Sequence, residues 1–221
     1  MGWAAVKEIH GRRRVLLGPQ ASYQWEHDPK HLLFVLARYK HAARLIGDAR
    51  TVLEVGCGEG IGAGILAQGR LSYRGVDTDV EALDVARGIA PSEAATFALA
   101  DATSMPQGRA FDAAVSLDVI EHIARSDEDA FVAGMARNLG DSGAGVIGTP
   151  NETARPYQSA ASAAGHVNLY TGDRLEALMR RHFRHVTVFG MNDEVLTTGF
   201  LPMAHYLMAL GVGPRRDGEL R

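Results

Sequence analysis

Six short apolar runs recur along this chain, most of them separated by helical patterns, and that alternation limits the fold more than any other feature. The strand candidates are 51–55, 72–76, 95–99, 111–117, 143–148 and 185–190. The helix candidates are 29–47, 59–68, 79–88, 127–139 and 172–183. Parallel neighbours need a crossover of a dozen or more residues, which the helical stretches supply. The spacing therefore predicts an α/β fold with a doubly wound, mostly parallel sheet and helices on both faces. Phe200 to Gly213 is apolar and reads either as a seventh strand, antiparallel at the edge, or as a helix. In such sheets ligands bind outside the carboxyl ends of the strands, so the chemistry is sought there.

The 221 residues suit one α/β domain with an appended arm. Residues 1–47 read as an N-terminal arm and helix covering a cofactor site, with 1–28 irregular and 29–47 helical. Residues 48–221 read as the catalytic domain, with an acceptor-side insertion at about 152–171. Formal net charge is −3, so nothing global favours a nucleic-acid partner. Residues 1–50 nevertheless hold nine Lys/Arg against four Asp/Glu. Arg12-Arg13-Arg14 in that segment is either a solvated cluster or a handle for an anionic substrate. No apolar run reaches the roughly 18 residues that span a bilayer, so no membrane contact is expected. The lone cysteine, Cys57, rules out an intrachain disulfide, and a cytoplasmic protein, monomeric or homodimeric, is expected.

The first strand runs into Glu54-Val55-Gly56-Cys57-Gly58-Glu59-Gly60. Alternate glycines let a backbone turn tightly and approach a ligand without Cβ contacts, while the next helix aims its amides at the site. Gly58-x-Gly60-x-x-Ala63 also satisfies the dinucleotide pattern, so a nicotinamide-dependent oxidoreductase must be weighed. Asp77 ends the second strand, about twenty residues on, as needed to accept from ribose hydroxyls. Asp101 follows the third strand, where it could accept from an adenine amino group while the Ala102 amide meets a ring nitrogen. Asp79 reads as a helix cap.

These motifs, with Phe111-Asp112-Ala113-Ala114-Val115-Ser116-Leu117-Asp118-Val119-Ile120-Glu121-His122, resemble the ordered motifs of class I methyltransferases that use S-adenosylmethionine (SAM). They resemble in particular bacterial small-molecule O-methyltransferases of the ubiquinone-pathway kind. The resemblance covers roughly residues 50–150 and implies a Rossmann-like, seven-stranded sheet with SAM as cofactor. It implies that Glu54, Gly56, Cys57, Gly58 and Gly60 form the methionine side of the site. Asp77 and Thr78 would meet the ribose, Asp101 and Ala102 the adenine, and Leu117 and Asp118 would line the cleft. Arg38 resembles an arginine that holds the SAM carboxylate, through parallel hydrogen bonds.

Methyl transfer from a sulfonium needs alignment and exclusion of water, and needs a base only when the acceptor must lose a proton. His166, in Gly165-His166-Val167-Asn168-Leu169-Tyr170, is the first candidate base because its unperturbed pKa lies near neutrality. His122 is the second catalytic candidate. Asp118-x-x-Glu121-His122 resembles the metal motif E-x-x-E-H of ubiquinone-pathway and small-RNA 2′-O-methyltransferases, with Asp one methylene shorter. The expectation is nonetheless no metal, with Glu121 and His122 orienting the loop. Residues 189–195 read as a polar hairpin turn or as lining of the acceptor pocket. The leading expectation is methylation of an oxygen or nitrogen on a small molecule, such as a sugar or natural-product intermediate. The alternatives are metal-assisted RNA 2′-O-methylation, which needs Asp118, Glu121, His122 and His166 on one ion, and nicotinamide-dependent oxidoreduction.

Overall fold

The computed structural model describes residues 2–10 and 15–216, so the Arg12-Arg13-Arg14 cluster lies outside the described residues. The strands are β1 (Thr51–Val55), β2 (Ser72–Asp77), β3 (Ala95–Leu99), β4 (Phe111–Leu117), β5 (Leu139–Pro150), β6 (Phe183–Asn192), β7 (Val195–Thr197) and β8 (Tyr206–Pro214). The helices are α1 (Trp3–His10), α2 (Pro19–His27), α3 (Pro29–Leu45), α4 (Ala63–Leu66), α5 (Val80–Ile89), α6 (Glu128–Arg137), α7 (Ala160–Gly165) and α8 (Gly172–His182). Among the described residues, no helix is long and apolar enough to cross a membrane.

The strands form one sheet in the order β3-β2-β1-β4-β5-β8-β6-β7. This corrects the expected count of seven to eight. It also moves the last strand from the edge to the interior, where β8 pairs antiparallel with both β5 and β6. The physical reason is connection length. β6 turns directly into β7 at Asp193, whose φ of +49 makes the reversal tight, and the chain then returns through a short 3₁₀ turn, Leu201–Met203, without a crossover helix. The stretch 189–195 is thus the tip of a hairpin, with Asp193 and Glu194 as its turn. Phe183 fits beside β5 and β8 only because both carry glycine: a Cβ at Gly145 or Gly211 would stand 2.5 Å from its ring.

Helices cover both faces. Phe131 and Met135 of α6 and Leu175 and Leu178 of α8 pack on one face with Leu53, Ile147 and Leu207. Tyr39 and Ala42 of α3 and Ala63 and Leu66 of α4 pack on the other with Val52, Val115 and Val146. The arm is not irregular as expected: Pro19 opens α2, where a missing N–H costs nothing, and Pro29 opens α3 behind Asp28, which caps it. The expected helix over 59–68 shrinks to Ala63–Leu66, because the preceding loop is spent on glycines with positive φ. The insertion holds a 3₁₀ turn, Glu152–Tyr157, and α7, and rejoins the sheet end by a bridge between Asn151 and Tyr170.

α6 approaches the turn after β3 at Gly134, where an added Cβ would lie 1.8 Å from the Ala102 carbonyl oxygen. Backbone on the receiving side cannot rotate away. Gly134→Ala is therefore expected to cost about 1–3 kcal/mol, the usual range for forced overpacking, read as a lower midpoint in urea unfolding.

Candidate functional site

The loop after β1 holds three glycines in the left-handed region, Gly56 (φ +75), Gly58 (φ +50) and Gly60 (φ +80). A side chain at Gly56 would meet Val119, and one at Gly60 would meet Ala86 and Phe97, whereas the space over Gly58 is open. Gly58 is thus where a ligand can lie against bare backbone. The loop is fastened from β2: the Gly56 and Cys57 amides donate to the Val76 carbonyl at 2.8 and 3.1 Å. The Gly58 amide donates to Asp77 Oδ2 at 2.7 Å.

Asp77 therefore sits beside the loop, and its second oxygen accepts from the Asp79 amide at 3.0 Å. A carboxylate offers about four acceptor positions, so two stay available for a pair of hydroxyls. Asp79 caps α5, accepting from the Glu81 and Ala82 amides. Thr78 is exposed beside Asp77. One oxygen of Asp101 holds the Thr103 amide and hydroxyl, both at 2.8 Å. Its other oxygen and the Ala102 amide make no hydrogen bond among the described residues. That leaves an acceptor and a donor on adjacent residues, the pair an aminopurine edge needs.

Two expected cofactor residues face elsewhere. Glu54 is 1% exposed and lies under the loop, where its carboxylate accepts from the Tyr39 hydroxyl at 2.8 Å and from the Tyr73 hydroxyl. Burial outweighs both hydrogen bonds and raises its pKa to about 7. Cys57 also points down, its sulfur against Gly75, and burial pushes its thiol pKa up. For Cys57 only the backbone faces the cleft. Leu117 is buried against Gly148, at the end of β4.

Arg38 and Asp118 form one unit. Arg38 Nη1 donates to both Asp118 carboxylate oxygens at 2.9 and 2.8 Å, and its guanidinium lies 4.2 Å above the centre of the Tyr206 ring. Burial opposes the Arg38 charge, but Asp118, Tyr206 and Glu121 outweigh it and raise its pKa. Asp118 reaches this position with φ at +59, a conformation that a non-glycine residue adopts at a cost. The ion pair leaves Nε and Nη2 of Arg38 for any carboxylate, next to a charge that is already balanced. Tyr206 is a site residue that the sequence does not disclose, because β8 could not be assigned as a strand.

The structure brings His122 and His166 together, with ring centroids 5.1 Å apart. Nδ1 of His122 donates to the Gly165 carbonyl at 2.9 Å, which leaves its Nε2 lone pair free to accept a proton. His166 Nδ1 instead lies 3.2 Å from Gln158 Nε2, which donates to it. Burial, then the neighbouring His122, lower the His166 pKa. Glu121 is 1% exposed. Its Oε2 accepts from the Thr149 hydroxyl at 3.0 Å, and its Oε1 has no partner among the described residues. Burial and then Asp118 raise its pKa to about 8. Ligating atoms of Glu121, His122 and His166 lie within 4.8 Å of one another. Asp118 does not join them, being turned to Arg38.

The α/β sheet order and the glycine loop after β1 are those of the class I methyltransferase fold. Residues 52–143 match the profile of a family described as a methyltransferase domain. A probable SAM-dependent methyltransferase of Mycobacterium tuberculosis is 33% identical over 132 residues, 59% of this chain and 47% of that protein. The mitochondrial ubiquinone biosynthesis O-methyltransferase of Arabidopsis thaliana is 31% identical over 120 residues, 52% of this chain and 37% of that protein. The chain thus spans less than half the length of these curated relatives. The N-methyltransferase NodS of Bradyrhizobium japonicum, solved with S-adenosyl-L-homocysteine, shares the fold at a TM-score of 0.64 and 18% identity. That likeness covers 82% of this chain and 88% of that one. The open backbone at Gly58 and the free acceptors of Asp77 and Asp101 fit the adenosyl part of SAM.

The Glu54 carboxyl supplies a pH test of the loop's foundation. Its pKa is about 4.5 in the unfolded chain and about 7 in the folded one, so the folded state binds more protons between those values. Stability conferred by the neutral acid is full below pH 4.5 and falls as pH rises towards 7. The loss is on the order of 3 kcal/mol. Glu121 adds a slope of the same sign that continues to about pH 8. Glu54→Gln should remove the Glu54 share, flattening the unfolding free energy measured in urea between pH 5 and 7.

Proposed function

We propose that this chain transfers a methyl group from SAM to an oxygen, or a nitrogen, of a small-molecule acceptor such as a sugar or natural-product intermediate. Bound SAM supplies an electrophilic methyl group on a positively charged sulfur. Gly58, Asp77, Asp101 and the Ala102 amide bind its nucleoside, and Arg38 offers its unused N–H groups to the amino-acid carboxylate. The observation that carries the reading of an acidic acceptor proton is the fixed tautomer of His122. With Nδ1–H tied to the Gly165 carbonyl, Nε2 is the atom that takes the proton from an acceptor hydroxyl. His166, beside it, orients the acceptor, and a half-turn of the Gln158 amide would exchange its donor and acceptor roles.

The first test is calorimetry with SAM and NAD separately. SAM should bind, and tight NAD binding without SAM binding would end this reading. Screening extracts of the source organism by mass spectrometry should then reveal an acceptor that gains about 14 Da, the mass of a methyl replacing a proton. With that acceptor, His122→Ala should lower turnover by at least about a hundredfold, the usual contribution of a positioned base, and leave SAM affinity nearly unchanged. Unchanged turnover would remove His122 from the chemistry.

A second reading has its own support. The partnerless Glu121 Oε1, with His122 and His166, offers three ligands suited to a borderline divalent ion. Ligands shared by one ion at about 2.1 Å lie no more than about 4.2 Å apart, close to the 4.8 Å within which these atoms gather. An ion there would polarise an acceptor hydroxyl and suits metal-assisted methylation, including that of an RNA 2′-hydroxyl. Under this reading, chelator-treated protein should lose turnover and regain it with Co²⁺ or Zn²⁺, and His166→Ala should abolish the recovery. Turnover indifferent to chelation would leave the metal-free reading.

A further inference from the structure

The segment 165–170 carries His166 and also holds the carbonyl that orients His122, yet only its last residue touches the sheet end. Its inner side is tied to the turn after β4. The Val167 and Asn168 amides donate to the Glu121 carbonyl at 2.9 and 3.0 Å, and His122 Nδ1 donates to the Gly165 carbonyl. Its outer side is tied to a buried carboxylate that none of the chemistry above uses. Glu128, at the first position of α6, is 9% exposed.

Glu128 Oε2 accepts from the Tyr170 hydroxyl at 2.8 Å, from Asn168 Nδ2 at 3.0 Å and from Arg174. Arg174, in the first turn of α8, also donates to the Leu169 carbonyl at 2.6 Å and to Asn168 Oδ1 at 2.7 Å. Its guanidinium lies 4.1 Å over the Tyr170 ring. Burial and Glu128 raise the Tyr170 pKa, so its hydroxyl stays a donor. One acid and one arginine thus gather Asn168, Leu169 and Tyr170 from two different helices. The outer face of this clamp borders a cleft of about 290 Å³ lined by Arg125, Glu128, Arg174, Ala177, Leu178 and Arg181.

A buried ion pair is a poor means of stabilising a fold, since well-packed apolar residues often serve as well or better. What it supplies is direction. The hydrogen bonds of this clamp converge on three residues that begin two positions after His166. We infer that Glu128 and Arg174 are positioning residues that set the His122–His166 pair against the acceptor. The inference rests on the reading that these histidines serve the acceptor. Hydrogen-bonded outer groups of this kind fix the orientation of the groups that do the chemistry, and small misplacements there are costly.

The test uses the full chain and two variants, Glu128→Gln and Arg174→Met. The second leaves Glu128 bonded to Tyr170 and Asn168, and decides the matter should the first fail to fold. The readouts are the nuclear Overhauser contact between the two imidazole rings and hydrogen exchange at the Val167 and Asn168 amides. We expect the ring contact to weaken and exchange at those two amides to rise at least about tenfold, while β4 and β5 amides keep their protection. SAM affinity by calorimetry should stay within about twofold, because no clamp residue borders the glycine loop. With an identified acceptor, kcat should fall by up to about a hundredfold at unchanged KM for SAM, as misalignment predicts. An unaltered ring contact and unaltered exchange in a folded variant would overturn the inference. Failure of the wild-type protein to bind SAM would instead overturn the methyltransfer reading, which the ring and exchange measurements do not touch.

Discussion

A carboxylate placed under a loop, out of reach of water, is the constraint on which the rest of this site depends. Glu54, the penultimate residue of β1, would be expensive to bury alone. Its two hydroxyl partners come from different directions, Tyr39 from α3 and Tyr73 from β2. The trio therefore locks the covering helix to two strands of the sheet at the point where the glycine loop begins. The same packing explains a glycine outside the left-handed set: a Cβ at Gly62 would lie 2.2 Å from the Tyr39 ring and 2.8 Å from the Glu54 carboxylate. The loop is shaped from below by an acid and two phenols, and from the side by Asp77.

That support also explains why α2 lies where it does. Glu59, in the glycine loop, accepts from the Gln20 and Ala21 amides at 2.9 and 3.3 Å, so it serves as the missing cap of α2. Gly18 must be glycine there, since a Cβ would stand 2.5 Å from the Glu59 carboxylate. The cofactor loop and the N-terminal arm are thus parts of one hydrogen-bonded unit. A disturbance of the arm would be felt at Gly58 and Gly60 without any side chain of the arm touching the ligand.

Local patterns made much of the sheet legible. β1, β3 and β4 coincide with the stretches 51–55, 95–99 and 111–117, because each is a short apolar run bounded by turn residues. β8 was undecidable for the opposite reason. Tyr206 to Pro214 is buried on both faces between β5 and β6, so its sequence lacks the alternation that separates strand from helix. The arm reads as irregular from its mixed glycine, proline and aromatic content, yet Pro19 stands at a helix start, where its missing N–H costs nothing. Within the candidate site, the positions of the glycine loop, Asp77 and Asp101 were legible because each stands at a fixed place at or after the end of a strand. Tyr206, the Thr149–Glu121 bond and the Glu128 clamp were not, since their partners lie 28 or more residues away in sequence or on a strand that could not be assigned. Sequence spacing also placed Asp118 near Glu121 and His122 without showing that Arg38 claims its carboxylate.

The charges around the cleft follow one electrostatic logic. The positive charge on a sulfonium sulfur is dispersed towards the acceptor in the transition state of methyl transfer, so fixed negative charge beside the sulfur would favour the ground state and slow such a reaction. The structure avoids this at each nearby acid. Asp118 is neutralised by Arg38. Glu54 and Glu121 are buried until their pKa values reach about 7 and about 8, so near neutral pH much of their charge is suppressed. Asp77 and Asp101 keep unused acceptor positions and stand at the end of β2 and after β3, with β1 between them and β4, the strand that leads to His122. The separation of these acids from His122 is set by strand order, since β2 and β3 lie on one side of β1 and β4, which leads to His122, lies on the other.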